Sequence, residues 1–196
     1  MTQENETLYV GVDESNNHGD SNRAFIVATT FSRKREDSFY VNYSGRRDFS
    51  KLDKWLKEGR DFRFSLLTSN SLKGMQPLAT LVAPYLVSDY IFSLTIQPKN
   101  IKICFDGRLP RTHKEYIREY FTNHFENVVV ENITKKRRAM ARRSKQNRLQ
   151  FPPVLIFADT LANKIYNNIS RHYLEHKKRV SLNDSKIGEL YFKLKN

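Results

Sequence analysis

Short apolar runs recur along the chain, separated by charged or turn-forming stretches. Residues 7–13, TLYVGVD, are apolar and rich in β-branching, which predicts a first strand. A turn-rich stretch, SNNHGDSN, follows. The near-continuous run RAFIVATTF at 23–31 then predicts a second strand buried on both faces. SFYVNYS at 38–44, with alternating aromatics, predicts a third, and the short connections predict an antiparallel meander. FSKLDKWLKEG places Phe49, Leu52, Trp55 and Leu56 at helical spacing before Gly59. DFRFSLLTS reads equally as a short strand or a loop. From Met75 to about Ile96 the chain is apolar, with Pro77 suited to a helix start and Pro84 expected to kink or split the segment. IKICFD at 101–106 predicts a fourth strand, GRLPRTH a loop, KEYIREYFTNHF a helix and ENVVVENI at 126–133 a fifth strand. PPVLIFADTLANKIYNNISRHYL predicts a last long helix over about 153–174, opened by proline. The tail, 177–196, predicts no clear element. Strands that alternate with helices after a three-strand meander predict a mixed sheet with helices on its faces.

Three of these runs end in, or carry, an acid. The first strand ends in Asp13-Glu14, the fourth in Asp106, and the last helix carries Asp159 within FADTLA. Successive side chains of a strand point to opposite faces, so Asp13 and Glu14 cannot share one core. The expected place for them is the carboxyl end of the strand, where a sheet opens to ligands. Each acid also has a structural reading. Asp13-Glu14 and Asp106-Gly107 suit turns, and Asp159 would be an N-cap if the helix began at Thr160. Convergence of all four predicts a divalent-metal site, since an unpaired acid inside VLIFADTLA is expensive to bury. Asp20, in the first loop, and Glu131, on the fifth strand, read as solvated or paired with arginine.

Charge changes the picture more than composition does. Lys and Arg total 34 against 21 acids, a net +13, which points to an anionic partner. Residues 135–148 hold eight of these cations: Lys135, Lys136, Arg137, Arg138, Arg142, Arg143, Lys145 and Arg148. Such a run attracts phosphates through counterion release without reading sequence; its bland alternatives are a disordered basic loop or a localisation signal. Arg46-Arg47 and 177–179 extend the positive surface. The 196 residues are expected to form a single domain, with a basic insertion at about 134–150 and a basic C-terminal tail. The one cysteine, Cys104, excludes an intrachain disulfide and a cysteine-based zinc site. A polar N-terminus unlike a signal peptide, with no apolar stretch near the roughly 20 residues of a membrane span, predicts a soluble, cytoplasmic protein. His172 and His176 are four apart with no HExxH companion, so zinc is weakly supported. His18 and His113 are placed in loops near the acids, as candidate proton carriers.

The order of elements and the positions of the acids resemble the ribonuclease H-like superfamily. The tandem Asp13-Glu14 resembles type 2 ribonucleases H. VDESNN and FADTLANKIY resemble an uncharacterised ribonuclease H-like family with an N-terminal Asp-Glu-Ser and a late Ala-Asp-x-x-Ala helix, with Asn16 in place of its usual Gly. The resemblance implies an α/β fold with a mixed five-stranded sheet, its first three strands antiparallel, and helices on both faces. It implies Asp13, Glu14, Asp106 and Asp159 as catalytic metal ligands for two Mg²⁺, with Mn²⁺ as a substitute. The implied activity is phosphodiester hydrolysis in RNA, DNA or a hybrid. A junction resolvase or integrase-like phosphoryl transferase, or a nucleic-acid-binding module without turnover, shares the same fold.

Overall fold

The computed structural model describes residues 6–15, 24–43, 48–67, 78–107, 109–133 and 149–195. Strand β1 (Thr7–Ser15) is central. It pairs antiparallel with β2 (Phe25–Ser32) on one side. On the other it pairs parallel with β5 (Asn100–Asp106), which pairs parallel with β6 (Asn127–Ile133). β4 (Asp61–Leu67) adds antiparallel to β2, giving a five-stranded sheet in the order β4-β2-β1-β5-β6. This is the mixed sheet with three antiparallel strands that the family resemblance implies.

The third sheet strand is not the predicted one. Residues 38–44 do not join the meander. Arg35–Ser38 is a 3₁₀ turn, and a short β3 (Val41–Tyr43) pairs instead with β7 (Leu149–Phe151) in a separate antiparallel ribbon. The reason is burial. Phe39, Tyr40 and Val41 are exposed, and Tyr43 packs on the small cluster around Phe151 rather than on the main sheet core. In DFRFSLL, Phe62, Phe64 and Leu66 pack on one face. On the other, Arg63 is buried against Asp89, with Nε 2.5 Å from Oδ2, and also donates to Ser93 Oγ at 3.1 Å. A buried arginine with paired charge keeps a central-looking strand pattern that its polar letters hide.

Helices cover both faces. On one, α2 (Leu78–Phe92) and α3 (Arg111–Thr122) bury Leu8, Val10, Val12, Val27, Ile103 and Phe105 of the sheet. Pro84 sits inside α2 without splitting it. The tail forms a helix at Asp184–Lys195, whose Ile187 joins the same core. On the other face, α1 (Phe49–Lys57) and α4 (Pro153–Asn167) cover Ile26, Ala28, Phe62, Phe64 and Leu66. The predicted 153–174 helix therefore stops at Asn167, and α5 (Arg171–Leu174) is a separate turn. A cluster of asparagines marks the stop: Asn167 and Asn168 side chains donate to the carbonyls of Asn163 and Lys164 at 2.9 and 3.0 Å. Numbering the tail helix α6, the order after β7 is α4-α5-α6.

Gly11 fixes where α4 lands. A Cβ there would lie 2.1 Å from the Val154 carbonyl oxygen and 2.7 Å from the Leu155 nitrogen. That carbonyl accepts a hydrogen bond from Thr30 Oγ1 at 2.5 Å. The helix thus rests its first turn directly on the backbone of β1, beside a buried β2 hydroxyl. Gly11→Ala is expected to destabilise the fold by about 1–3 kcal/mol through overpacking, read as a fall of several degrees in Tm. A variant melting with the parent would mean that α4 does not approach β1 this closely.

Candidate metal centre

Three acids meet on the α4 face of the sheet. In β1 the side chains of Leu8, Val10 and Val12 enter the α2–α3 core, so alternation sends Asp13 to the opposite face. In β5, Phe105 enters the α2–α3 core and Cys104 packs with Leu155 of α4. Asp106 therefore shares the α4 face. The parallel register pairs Val12 with Phe105, which makes Asp13 and Asp106 neighbours at the carboxyl ends of adjacent strands. Asp159 lies on α4, which the Gly11 contact holds against that face.

Electrostatics reflects the convergence. Asp13 is 9% exposed. Its carboxyl pKa is pushed well above the ordinary value, first by burial and then by the charges of Asp106, Asp159 and Glu14, against one backbone hydrogen bond that lowers it. Glu14 projects the other way, toward the start of α2, and accepts a hydrogen bond from the Ala79 N–H at 2.9 Å. Its pKa is raised by burial and by Asp106, with the Ala79 bond opposing. Asp13 thus feels the charges of Asp106, Asp159 and Glu14, and Glu14 that of Asp106. Among the described residues, no three His, Cys, Asp or Glu side chains are gathered closely enough to form a ready-made metal cage.

Two groups hold Asp159 in place. Tyr43 Oη donates to Asp159 Oδ2 at 2.7 Å. Asn163 Nδ2, one turn along α4, donates to Asp159 Oδ1 at 3.1 Å and to its carbonyl at 2.8 Å. Ser15 Oγ, at the end of β1, reaches Asn163 Oδ1 at 3.5 Å, a contact at the outer limit of a hydrogen bond. Sequence reasoning did not single out Tyr43 or Asn163. The signal for Asn163 was its i+4 spacing from Asp159 on a helix. Tyr43 carried none, because its approach depends on the β3–β7 ribbon.

His113 is not a loop residue near the acids. It lies in the first turn of α3, 5% exposed, with Nδ1 2.5 Å from Thr80 Oγ1. Burial lowers its pKa, so it packs as a neutral core histidine. Glu131 pairs with a lysine rather than an arginine, Lys102 Nζ at 3.2 Å. His18, Asp20 and the basic residues Lys135, Lys136, Arg137, Arg138, Arg142, Arg143, Lys145 and Arg148 lie outside the described residues.

An acid on the central strand, one at the end of its parallel neighbour and one on the helix crossing both complete the pattern of sheet order and strand direction. The sheet order and strand directions are those that the ribonuclease H-like resemblance implies. No protein-family model matches the chain, and no curated protein matches it. Among solved structures, it is similar to a chain of the PCNA:RNase HII complex from Archaeoglobus fulgidus, at 11% identity and a TM-score of 0.48, over 95% of this chain and 87% of that one. It is also similar to ribonuclease H2 from Pyrococcus horikoshii, at 14% identity and a TM-score of 0.47, over 96% and 89%.

The raised pKa values set a pH dependence. The ordinary values are 3.8 for Asp13 and 4.5 for Glu14. In the fold both carboxyls hold their protons to higher pH than in the unfolded chain. The native state then binds more protons, so their contribution to stability falls as pH rises from about 4 through the raised values. In EDTA, Asp13→Asn removes one repelling charge and is expected to melt at or above the parent temperature at pH 7, with the difference shrinking toward pH 4. A drop in Tm at pH 7 would mark Asp13 as a structural acid.

Proposed function

We propose that the chain is a divalent-metal-dependent nuclease that hydrolyses phosphodiester bonds in nucleic acid. The observation that supports the reading is the placement of Asp13 and Asp106 at the carboxyl ends of adjacent strands, with Asp159 on the helix seated against the same sheet face. Burying like charges together is costly unless a cation compensates them. All four candidate ligands offer carboxylate oxygens, which suits a hard ion such as Mg²⁺ or Mn²⁺. When bound by Asp13, Glu14, Asp106 and Asp159, two such ions supply water activation and charge relief on the departing oxygen.

The chain's own groups prepare that site. Tyr43 and Asn163 orient both oxygens of Asp159. The Ala79 N–H holds Glu14 on the α2 side, so that Asp106 feels charge from both faces of β1. The described residues on either side of the basic run 135–148 lie in the same neighbourhood. Before it, Ile133 is the cross-strand partner of Asp106. After it, Leu149 is the cross-strand partner of Tyr43, whose hydroxyl touches Asp159. Chain that leaves and returns beside the acids supports a role for these cations in holding the phosphate backbone.

The test uses the purified full chain with Mg²⁺ or Mn²⁺ on RNA, DNA and hybrid substrates. Cleavage is expected, and Asp106→Asn should reduce it to below about one-hundredth, since even changes around metal ligands cost about 10–100-fold. Binding without cleavage would favour a non-catalytic module. Parental activity in Asp106→Asn would place the activity elsewhere. Affinity should fall steeply with salt. Replacing four cations of 135–148 by Gln should flatten the slope by up to about 0.9 for each phosphate that is no longer neutralised; an unchanged slope would give the segment another role.

A further inference from the structure

A cavity of about 250 Å³ opens between β3, α1 and α4. One stripe of α4 forms its base: Ile156, Phe157 and Thr160, at the i, i+1, i+4 spacing of a single helix face. Asp159 follows Ile156 by three residues, so the cavity and the acid are neighbours on the same helix. Tyr43 belongs to both, lining the cavity and donating to Asp159 Oδ2 at 2.7 Å. Whatever fills the cavity is placed directly beside the proposed cleavage site.

The lining is specific enough to name an occupant. Phe157 is half-buried and stacked on Trp55 with ring centroids 4.3 Å apart, and Trp55 is itself 2% exposed. Phe157 therefore brings to the cavity an aromatic ring that its stack on a core tryptophan holds in place. The rim is polar. Asn42 brings an amide, both donor and acceptor. Asp48 caps α1 by accepting from the Ser50 N–H at 3.1 Å and its hydroxyl at 2.6 Å through Oδ1. Lys51 stands at the mouth, exposed, with Nζ 3.9 Å from Asp48 Oδ2. A fixed aromatic ring among apolar side chains, hydrogen-bonding groups and an exposed cation match a planar heterocycle with a polar edge, attached to a phosphate. The volume is below the roughly 300–1,000 Å³ of pockets that enclose whole small ligands. It suits one ring system of a longer chain.

We infer that this cavity takes one unpaired nucleobase of the substrate, next to the phosphodiester bond that is cut. The inference rests on the nuclease reading and adds strandedness to it. A base within a duplex is stacked and paired, and reaches such a cavity only by leaving the stack. The substrate is therefore single-stranded, or opened at the site of cleavage. Phe157 stacks the base, Asn42 and Asp48 meet its edge, and Lys51 meets the adjoining phosphate.

Binding in Ca²⁺ without turnover tests this, using anisotropy of labelled 12-mers with the full chain. A single-stranded oligonucleotide should bind more tightly than the blunt duplex of the same sequence. An abasic site moved along the strand should weaken binding roughly tenfold at one position, the effect of removing one stacked base. Val41→Trp, at the exposed edge of the cavity, fills it without disturbing the core. In this variant intact and abasic strands should bind alike, because the penalty disappears when its partner is blocked. Thermal melts confirm that the variant folds, and Lys51→Ala gives a second, surface-exposed variant with weakened single-strand binding. Equal affinity for duplex and single strand with no sensitive position overturns the inference. So does a tenfold penalty that persists in folded Val41→Trp. Mg²⁺-dependent cleavage of intact duplex alongside either result would leave the nuclease reading standing, whereas loss of all nucleic-acid binding would remove both.

Discussion

The contact between α4 and the backbone of β1 is the constraint on which the site depends. Gly11 leaves no room for a side chain between the strand and the Val154 carbonyl. A helix seated at that distance carries Asp159 into the neighbourhood of Asp13 and Asp106. It also presents Leu155 to Cys104 and Ile133, and Leu161, Ala162 and Ile165 to the second core. A few tenths of an ångström of lift at Gly11 would propagate along a rigid helix to the Asp159 carboxylate. Thr30 adds a directional element, because its fully buried hydroxyl donates to the Val154 oxygen at 2.5 Å and so ties β2 to the same turn of α4.

That packing works against electrostatics. Hydrophobic burial on both sheet faces brings together carboxylates that repel, and the strain appears as the raised pKa of Asp13 and Glu14. Hydrogen bonds from neutral groups offset part of it. Tyr43 and Asn163 donate to Asp159, and Ala79 donates to Glu14. Neutral donors stabilise a carboxylate less than a cation does. Two arginines with largely buried side chains are committed elsewhere: Arg60 to Asp37 and Arg63 to Asp89.

Much of this was legible in the sequence, for identifiable reasons. β1, β2 and β5 are largely buried apolar runs, and β6 a half-exposed β-branched one, whose strand character does not depend on distant partners. The four acids stood out because each interrupts or ends such a run. The β4 strand was obscured by Arg63 and Asp61, whose pairing with Asp89 and Lys178 is tertiary. The β3–β7 ribbon joins segments far apart in the chain, Val41–Tyr43 and Leu149–Phe151, and no local pattern announces it. Tyr43 was invisible for the same reason. His113 was misplaced because α3 begins at Arg111, just after Pro110, earlier than its apolar spacing suggested.

The adjacent pair Asp13-Glu14 gains its meaning from alternation. A strand sends neighbours to opposite faces, and here the two faces are chemically different. Asp13 faces α4 and two further carboxylates, so its charge is opposed from several sides. Glu14 faces the start of α2, where the positive end of the helix dipole and the Ala79 N–H favour an anion. Burial still dominates and raises its pKa, but the fixed donor settles its direction. One residue therefore supplies a strongly coupled carboxylate and the next an anchored one, at the edge where both faces of the sheet reach Asp106. Two acids on one face would repel at closer range without a helix terminus to hold either. Placing them in sequence on a single strand end brings four carboxylates around β1 and β5 while only three crowd the α4 face.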